Sequence, residues 1–263
     1  MTLCIPLLPA WSAVVAAVLA ATAPQSAWAQ NGGVIPFDEA NVFAELNHTD
    51  GDLGFHAKVD GGPWTSLRIK APDGRQILVV RPQRRLARQA LTELFFESDE
   101  PEFDDLSPEQ FFRRFPAGRY TVSGISTEGD ELESRPRFRH VMPAPPGGIM
   151  VSGTSFVLEM IDCDEEVPVV MVDDDPFVIS WDPVTESHPE VGRQGGVVIT
   201  NYQLVVEREE PTHLIFSVDL PPDVTEVEVP PGFLALGEDF KFEILVRERS
   251  GNQTAIESCF AFE

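Results

Sequence analysis

The sequence is poor in basic residues, and this shortage narrows the classes of partner. Lysine and arginine together number 19 against 43 aspartates and glutamates, which gives a formal net charge of −24. Such a charge repels phosphate backbones and anionic membrane surfaces, so we do not expect nucleic-acid binding. The sequence also lacks H-E-x-x-H, cysteine pairs at zinc-finger spacing and a G-x-S-x-G elbow. It therefore offers no recognised catalytic motif.

Charged side chains are absent from the first 29 residues, which are dominated by alanine, leucine and valine. The apolar segment 10–23 is too short to span a bilayer, and an A-x-A cleavage pattern ends at Ala29. We therefore expect residues 1–29 to be an export signal peptide and the protein to be periplasmic or secreted. No later segment is apolar enough for a membrane anchor, so we expect no membrane insertion after the signal is removed.

Proline and glycine concentrate in the middle of the chain, over residues 143–148. Proline fixes φ and glycine frees it, so such a mixed run is a connector. We therefore predict an N-terminal domain over 37–143, a junction over 144–167 and a C-terminal domain over 168–263. Short apolar runs separated by turn residues fill both halves and predict an all-β protein of two tandem β-sandwiches.

The N-terminal half has one clear hairpin and one short helix inserted into its sandwich. The hairpin joins residues 64–69 to 76–80 through a turn with Pro72 and Asp73-Gly74 in favourable positions. The helix begins at Ser107, because proline follows it and Gln110 completes a capping box. Residues 84–96 fit a helix or a buried strand equally well.

The C-terminal half has longer alternating strands. Because side chains alternate along a strand, three sets of apolar residues each share one face. They are Phe177, Ile179 and Trp181; Tyr202, Leu204 and Val206; and Phe240, Phe242, Ile244 and Val246. We expect these three faces to form the core of the second sandwich.

With Trp181 on the second strand and Tyr202 on the third, residues 168–263 resemble the fibronectin type III family. The late motif of that family, a leucine before a turn and a corner tyrosine, corresponds to residues 234–240. Here Phe240 stands at the corner and lacks the hydroxyl that bonds the backbone. The resemblance implies a β-sandwich and no particular ligand.

The N-terminal half is similar to the leading half of uncharacterised exported bacterial proteins. The likeness rests on Thr49-Asp50-Gly51-Asp52 and on residues 91–98, and it implies no activity. Residues 115–120 also resemble a sandwich corner, with Tyr120 in the place that Phe240 occupies later. This favours two diverged copies of one architecture.

Cys163 and Cys259 remain after removal of the signal peptide. In an oxidising compartment such a pair is a disulfide candidate, and both positions can reach one edge of the second sandwich. Two buried free thiols or a catalytic cysteine are the alternatives. We favour the disulfide.

The turn over residues 47–54 is the sharpest candidate for a ligand site. Asn47, Asp50 and Asp52 offer the hard oxygen ligands that calcium prefers, although the spacing is not that of an EF-hand. The alternative, which we favour, is a glycine-rich hairpin turn in which these side chains cap backbone amides. Two histidines at this turn, His48 and His56, would join a metal site if one formed.

Three further features carry weaker signals. Acidic residues at 162–166 and 173–175 are a second calcium candidate, but such runs are more often solvated. Arg81, Arg84, Arg85 and Arg88 form a basic run that fits either an acidic partner or one solvated helix face. Asn47 and Asn252 begin N-x-T glycosylation patterns.

We weigh three functions. The first is an exported, non-catalytic interaction module that binds a protein or glycan partner. The second is an accessory binding protein stabilised by calcium. The third, a hydrolase with an unrecognised site, is disfavoured because abundant carboxylates form accidental pairs without a motif. We expect no cofactor other than calcium.

Overall fold

The computed structural model describes residues 33–152, 154–155, 169–170, 176–209 and 211–262. The strands are β1 Glu39–Asn47, β2 Asp52–Lys70, β3 Gln76–Val80, β4 Leu91–Glu97, β5 Gly118–Arg119, β6 Thr121–Ser126, β7 Glu131–Ser134, β8 Arg137–Phe138, β9 Val141–Pro143, β10 Met150–Val151, β11 Thr154–Ser155, β12 Val169–Val170, β13 Val178–Ser180, β14 Ser187–Gly192, β15 Ile199–Arg208, β16 Leu214–Leu220, β17 Glu226–Glu228, β18 Asp239–Glu248 and β19 Gln253–Phe262. The helices are α1 Arg84–Gln89, α2 Pro108–Arg114 and α3 Pro231–Leu234. Among these described residues, no helix is long and apolar enough to cross a membrane.

One sheet runs through both halves of the described chain and contains eleven of its strands. Its order is β16-β15-β18-β19-β1-β2-β6-β7, with β3 and β4 also paired to β2 and β12 paired to β19. The halves meet where β1 and β19 run parallel, with Glu45 opposite Gln253 and Asn47 opposite Ala255. Backbone hydrogen bonds therefore join the two halves directly.

Two apolar clusters lie under this sheet, and together they confirm the predicted all-β fold of two sandwiches. The first surrounds Trp64 and Phe55, and the second surrounds Trp181 and Tyr202, all at most 4% exposed. All three strand faces predicted for the C-terminal half lie in the second cluster. Val191 is an exception to the division by sequence, because it lies in β14 yet packs into the first cluster.

β14 connects the halves a second time. It pairs antiparallel with β9, so the segment around Ser187–Gly192 lies against the end of the first sandwich. This segment belongs to the second half by sequence and to both halves by contact. The exact domain bounds at 143 and 168 stay a prediction.

Local sequence signals produce the short helix and the strand beside it. The Ser107 hydroxyl accepts a hydrogen bond from the Gln110 N–H at 3.4 Å, as a capping residue does, and Phe111 and Phe112 are buried beneath α2. The ambiguous residues 84–96 contain both predicted elements in succession. Helix α1 ends at Gln89, Ala90 follows with a φ of 62°, and β4 begins at Leu91.

The two predicted corners differ as their side chains require. The Tyr120 hydroxyl donates to the Pro116 carbonyl at 3.2 Å, while Tyr120 itself is fully buried. Phe240 fills the corresponding place with apolar contacts and stacks on Phe260 with ring centroids 5.4 Å apart. A hydroxyl bond in one half is thus replaced by ring packing in the other.

Candidate functional site

The predicted calcium ligands lie at the tip of the β1–β2 hairpin, where they are largely engaged with each other. The Asn47 side-chain oxygen accepts from the backbone N–H of Thr49 at 3.0 Å and of Asp50 at 3.3 Å. Its side-chain nitrogen donates to Asp50 at 2.9 Å and to Glu257 at 2.8 Å. Asn47 therefore shapes the turn, which is the alternative that the sequence favoured.

This turn also docks onto β19, in the other half of the protein. The Thr49 hydroxyl accepts from the Glu257 N–H at 2.8 Å and donates to the Glu257 carbonyl at 3.3 Å. The backbone N–H of His48 donates to the Ala255 carbonyl at 2.9 Å. The turn thus extends the parallel β1–β19 pairing beyond the strand end. The β1–β2 turn therefore also joins the two halves of the protein.

Asp52 differs from its neighbours in the turn, because one of its carboxylate oxygens is buried without a hydrogen-bond partner among the described residues. Burial, followed by the nearby charges of Glu100 and Asp50, raises the pKa of Asp52 to about 7. Within the described ranges, no three histidine, cysteine or acidic side chains are arranged to hold a metal ion. Calcium binding at Asn47, Asp50 and Asp52 stays a prediction.

A row of polar contacts crosses the junction on the side of the sheet that faces away from both cores. The Arg247 Nε donates to Gln253 at 2.6 Å, and the Gln253 side-chain nitrogen donates to Glu45. The Nε2 atom of His56 lies 3.9 Å from Glu45 and 3.1 Å from Glu100. Side chains from β18, β19, β1 and β2 are therefore linked in one row.

Strand alternation places more carboxylates beside this row. Phe242 and Ile244 point into the second core, so Glu243 between them points outward, opposite Glu257 on β19. We call this outward surface, carrying Glu45, His56, Glu243, Gln253 and Glu257, the junction face. Its side chains come from both halves of the protein, and their positions are fixed by the β18–β19–β1–β2 register.

The junction face holds its carboxylates close together and partly away from water. Burial, followed by the charges of Glu45 and Glu257, raises the pKa of Glu243 to about 7. Burial also raises the pKa of Glu45 and of Glu257 above their usual range. Each raised pKa indicates that ionisation of this face costs free energy, which a bound cationic group would offset.

His56 is the most enclosed ionisable group of the junction face, with 1% of its surface exposed. Its ring stacks on Phe43 at 5.1 Å, and its Nδ1 atom has no hydrogen-bond partner among the described residues. Gly54 makes room for its carboxylate neighbour, because a Cβ there would overlap the Glu100 side chain. The histidine is held in place by packing and by Glu100.

A contact between two histidines joins the two halves beside the β1–β2 turn. The Nδ1 atom of His188 accepts from the backbone N–H groups of Val191 at 2.9 Å and Glu190 at 3.2 Å. Its Nε2 therefore carries the proton and donates to the Nδ1 atom of His48 at 3.1 Å. Burial, followed by the proximity of His48, lowers the pKa of His188 to about 4.

Asn252 occupies the centre of the junction and is fully buried. Its side-chain oxygen accepts from the Ala44 N–H at 3.0 Å, and its nitrogen donates to the carbonyls of Arg139 and Val141, both at 2.9 Å. The amide that would receive a glycan is thus enclosed in the fold. The glycosylation pattern at Asn252 is structural in the folded protein.

The basic run found in the sequence lies on and beside α1. Arg81, Arg84, Arg85 and Arg88 are all exposed, and α1 has no buried residue. Among the described residues, none of the four forms an ion pair. The arrangement is that of a solvated face.

Several predicted features fall outside the described residues. They are the signal peptide, Cys163 and both acidic runs at 162–166 and 173–175. Cys259 lies in β19 and is 2% exposed. The disulfide between Cys163 and Cys259 therefore stays a prediction.

Sequence reasoning missed His188, Glu243, Glu257 and Arg247 as members of the junction. Each lies more than 130 residues along the chain from the β1–β2 turn, so no local spacing reveals the association. Alternation did place Glu243 on the outward side of its strand. That signal gives a face of the sheet and not its neighbours.

No family model matches the chain, and no curated protein matches it. Among solved structures it is similar to the FN1–FN3 domains of chicken CNTN1, with 8% identity, 87% of this chain and 65% of that chain covered, and a TM-score of 0.33. It is also similar to a 1.5-MDa bacterial ice-binding adhesin, with 15% identity, 87% of this chain and 65% of that chain covered, and a TM-score of 0.23. A third similar structure is a tetra-tandem repeat of a large adhesion protein, with 9% identity, 86% of this chain and 50% of that chain covered, and a TM-score of 0.27. The matches thus cover 65% or less of each of these three structures.

Proposed function

We propose that the protein is a non-catalytic interaction module that binds a partner protein through the junction face. The observation that carries this proposal is the row of ionisable side chains that the β1–β19 pairing builds from both halves. A surface fixed by a hydrogen-bonded sheet loses little conformational entropy on binding. Since we predict an export signal, we expect the partner in the periplasm or outside the cell.

The chemistry of the face favours a protein that presents lysine or arginine. Glu45, Glu243 and Glu257 all have raised pKa values, so a cationic group that approaches them relieves mutual repulsion. The net charge of −24 adds long-range attraction for such a partner. An anionic glycan would be repelled here, and a neutral glycan would gain nothing from the charge.

The proposal is tested by cross-linking the purified protein to envelope proteins of its host, with the wild type and a double variant compared. Glu243→Lys with Glu257→Lys reverses the charge of the face. We expect a saturable, salt-sensitive cross-linked partner that the double variant loses. The identified partner is then purified, and its Kd is measured against both forms.

A matched control changes the same charges elsewhere. Glu226 and Glu228 are exposed on β17, away from the β18–β19–β1–β2 row. Glu226→Lys with Glu228→Lys should leave the Kd unchanged. Equal weakening by both double variants would show that net charge alone governs the interaction and would contradict the proposed site.

A second function, calcium-stabilised binding, is favoured by one observation. The partnerless oxygen of Asp52 lies in the same turn as Asp50, whose carboxylate raises the pKa of Asp52. A calcium ion would supply the missing partner and neutralise both charges. In this reading the cation stabilises the β1–β2 turn and, through it, the junction.

A further inference from the structure

A depression of about 310 Å³ lies at one end of the junction, where the β18–β19 turn meets the first sandwich. It is lined by Asn41, Val42, Pro136, Arg137, Arg139, Arg249 and Ser250. Arg137 and Arg139 belong to the first half and Arg249 to the second. We call this depression the arginine pocket. It exists only because the two halves are joined.

The charge of the arginine pocket is unusual for this chain. Its lining contains three of the 19 basic residues and none of the 43 acidic ones. Two other depressions of about 320 and 230 Å³ each mix arginine with two glutamates. The arginine pocket thus differs from these two depressions, because all of its charged lining residues are basic although the protein has a net charge of −24.

The arginines of the pocket are not held in ion pairs by their described neighbours. No ion pair joins Arg137, Arg139 or Arg249 to a carboxylate among the residues that the structure describes. Two acids contact the lining, but neither pairs with an arginine of the pocket. Glu39 accepts from Asn41 at 2.8 Å and pairs with Lys58 at 3.0 Å, and the buried Glu248 accepts from the Ser250 N–H at 2.9 Å.

Hydrogen bonds at the junction fix the backbone that lines the arginine pocket. Asn252 binds the Arg139 carbonyl at 2.9 Å, which fixes the backbone that carries this arginine. The Arg249 N–H donates to the Val198 carbonyl at 2.9 Å. Two of the three arginines therefore project from backbone positions that are already fixed, which reduces the entropy lost when a ligand binds.

We propose that the arginine pocket binds the carboxylate of an acidic sugar residue. A guanidinium group has the opposite charge to a carboxylate, and the two planar groups can form a pair of parallel hydrogen bonds. The Asn41 side-chain nitrogen is used by Glu39 at 2.8 Å, which leaves its oxygen to accept from a sugar hydroxyl. Small-molecule sites begin at about 300 Å³, so the pocket accommodates about one sugar ring.

A sugar acid fits this site better than an acidic peptide does. A peptide with several carboxylates would be repelled by the net charge of −24 that the protein carries. A sugar ring places one carboxylate among neutral hydroxyls, so the charge enters the pocket and uncharged groups face the rest. The inference uses no residue of the junction face, and it stands or fails separately from the proposed protein partner.

Calorimetric titration of the purified protein with sodium D-glucuronate tests the inference. We expect saturable binding by the wild type and no binding of D-glucose. Arg137→Gln and Arg249→Gln, each at an exposed position, should weaken binding by about tenfold or more, since a charged hydrogen bond is lost. Arg85→Gln, an equal charge change on α1, should bind as the wild type does.

Other results would overturn the inference. Equal weakening in Arg85→Gln would assign the effect to net charge. Acetate that competes as well as glucuronate would show an anion site without sugar recognition. Tighter binding of a tetra-aspartate peptide would assign the pocket to acidic protein segments. No binding of glucuronate to folded wild-type protein would remove the site altogether.

Discussion

The Nε2 atom of His188 lies 3.1 Å from the Nδ1 atom of His48, and this contact joins β14 to the β1–β2 turn. The bond requires a neutral His48, because a proton on the His48 Nδ1 atom would remove the acceptor. The two backbone bonds require that His188 Nδ1 carries no proton. A proton on His188 Nδ1 would face the backbone N–H groups that this atom now accepts from. The junction therefore contains a contact that acid should break.

His188 should make stability depend on pH. Its pKa falls from 6.5 to about 4 on folding, so the unfolded chain binds more protons between these values. The contribution of His188 is thus complete above pH 6.5 and is lost as the pH falls toward 4. The difference in unfolding free energy between wild type and His188→Asn should shrink by about 1–3 kcal/mol from pH 7 to pH 4.5.

Urea unfolding of both proteins across this pH range measures the effect. His213→Asn is the control, because His213 is exposed and pairs with Glu207 in β15. If the difference in unfolding free energy between wild type and His188→Asn stays constant with pH, then protonation of His188 does not weaken its backbone contacts at the junction.

Glu243 should act in the opposite direction. Its pKa rises from 4.5 to about 7 on folding, so the folded chain binds more protons in this window. Stability is therefore lost as the pH rises through it, and the loss is complete above pH 7. Glu243→Gln should stabilise the protein by about 1 kcal/mol at pH 8 and by almost nothing at pH 4.

Thermal unfolding at the two pH values checks this prediction. The exposed Glu226 of β17 supplies the control, since Glu226→Gln should change stability little at either pH. Destabilisation by Glu243→Gln at pH 8 would mean that the carboxylate is held by favourable contacts instead of by burial among like charges.

Asn252→Ala should weaken the junction more than any substitution of an exposed side chain. It removes three hydrogen bonds and leaves the Ala44 N–H and the carbonyls of Arg139 and Val141 buried. We expect a loss of about 3 kcal/mol in the free energy of unfolding. Asn201→Ala, at a position on β15 whose side chain accepts one exposed bond from Thr200, should cost below about 1 kcal/mol.

Equilibrium unfolding in urea measures both asparagine variants. If Asn252→Ala costs no more than Asn201→Ala, then the three hydrogen bonds of Asn252 contribute little to joining the halves. The same variant reports on glycosylation, because an enclosed Asn252 should carry no glycan in the folded wild type even in a host that glycosylates.

Local signals predicted the elements of the fold. The faces that contain Trp181 and Tyr202 follow from the two-residue period of a strand, and α2 follows from the cap at Ser107. Residues 84–96 could not be predicted as one element, because a helix and a strand follow one another there and Ala90, with a φ of 62°, separates them. Each of these features depends on residues close together in sequence.

The junction could not be predicted in this way. Glu45 and Gln253 are paired across about 200 residues, and parallel pairing leaves no turn between them to be recognised. Asn47 was ambiguous for a different reason. Hairpin turns and calcium loops both use Asn, Asp and Gly, and only the contacts with Glu257 show that Asn47 is engaged in the fold.

Calcium should raise the melting temperature if the turn at Asp50 and Asp52 binds it, because a ligand of the folded state stabilises by mass action. Asp50→Asn with Asp52→Asn should then abolish the response to calcium and to chelator. Without calcium, Asp52→Asn should stabilise the protein above pH 7, because the pKa of Asp52 is raised to about 7 in the folded state. A lost response to calcium can therefore be told apart from a general loss of stability. Asp73→Asn, in the exposed β2–β3 turn, is the control and should keep the wild-type response. A wild-type melting temperature that ignores both calcium and chelator would leave Asn47, Asp50 and Asp52 with the structural role that their hydrogen bonds already describe.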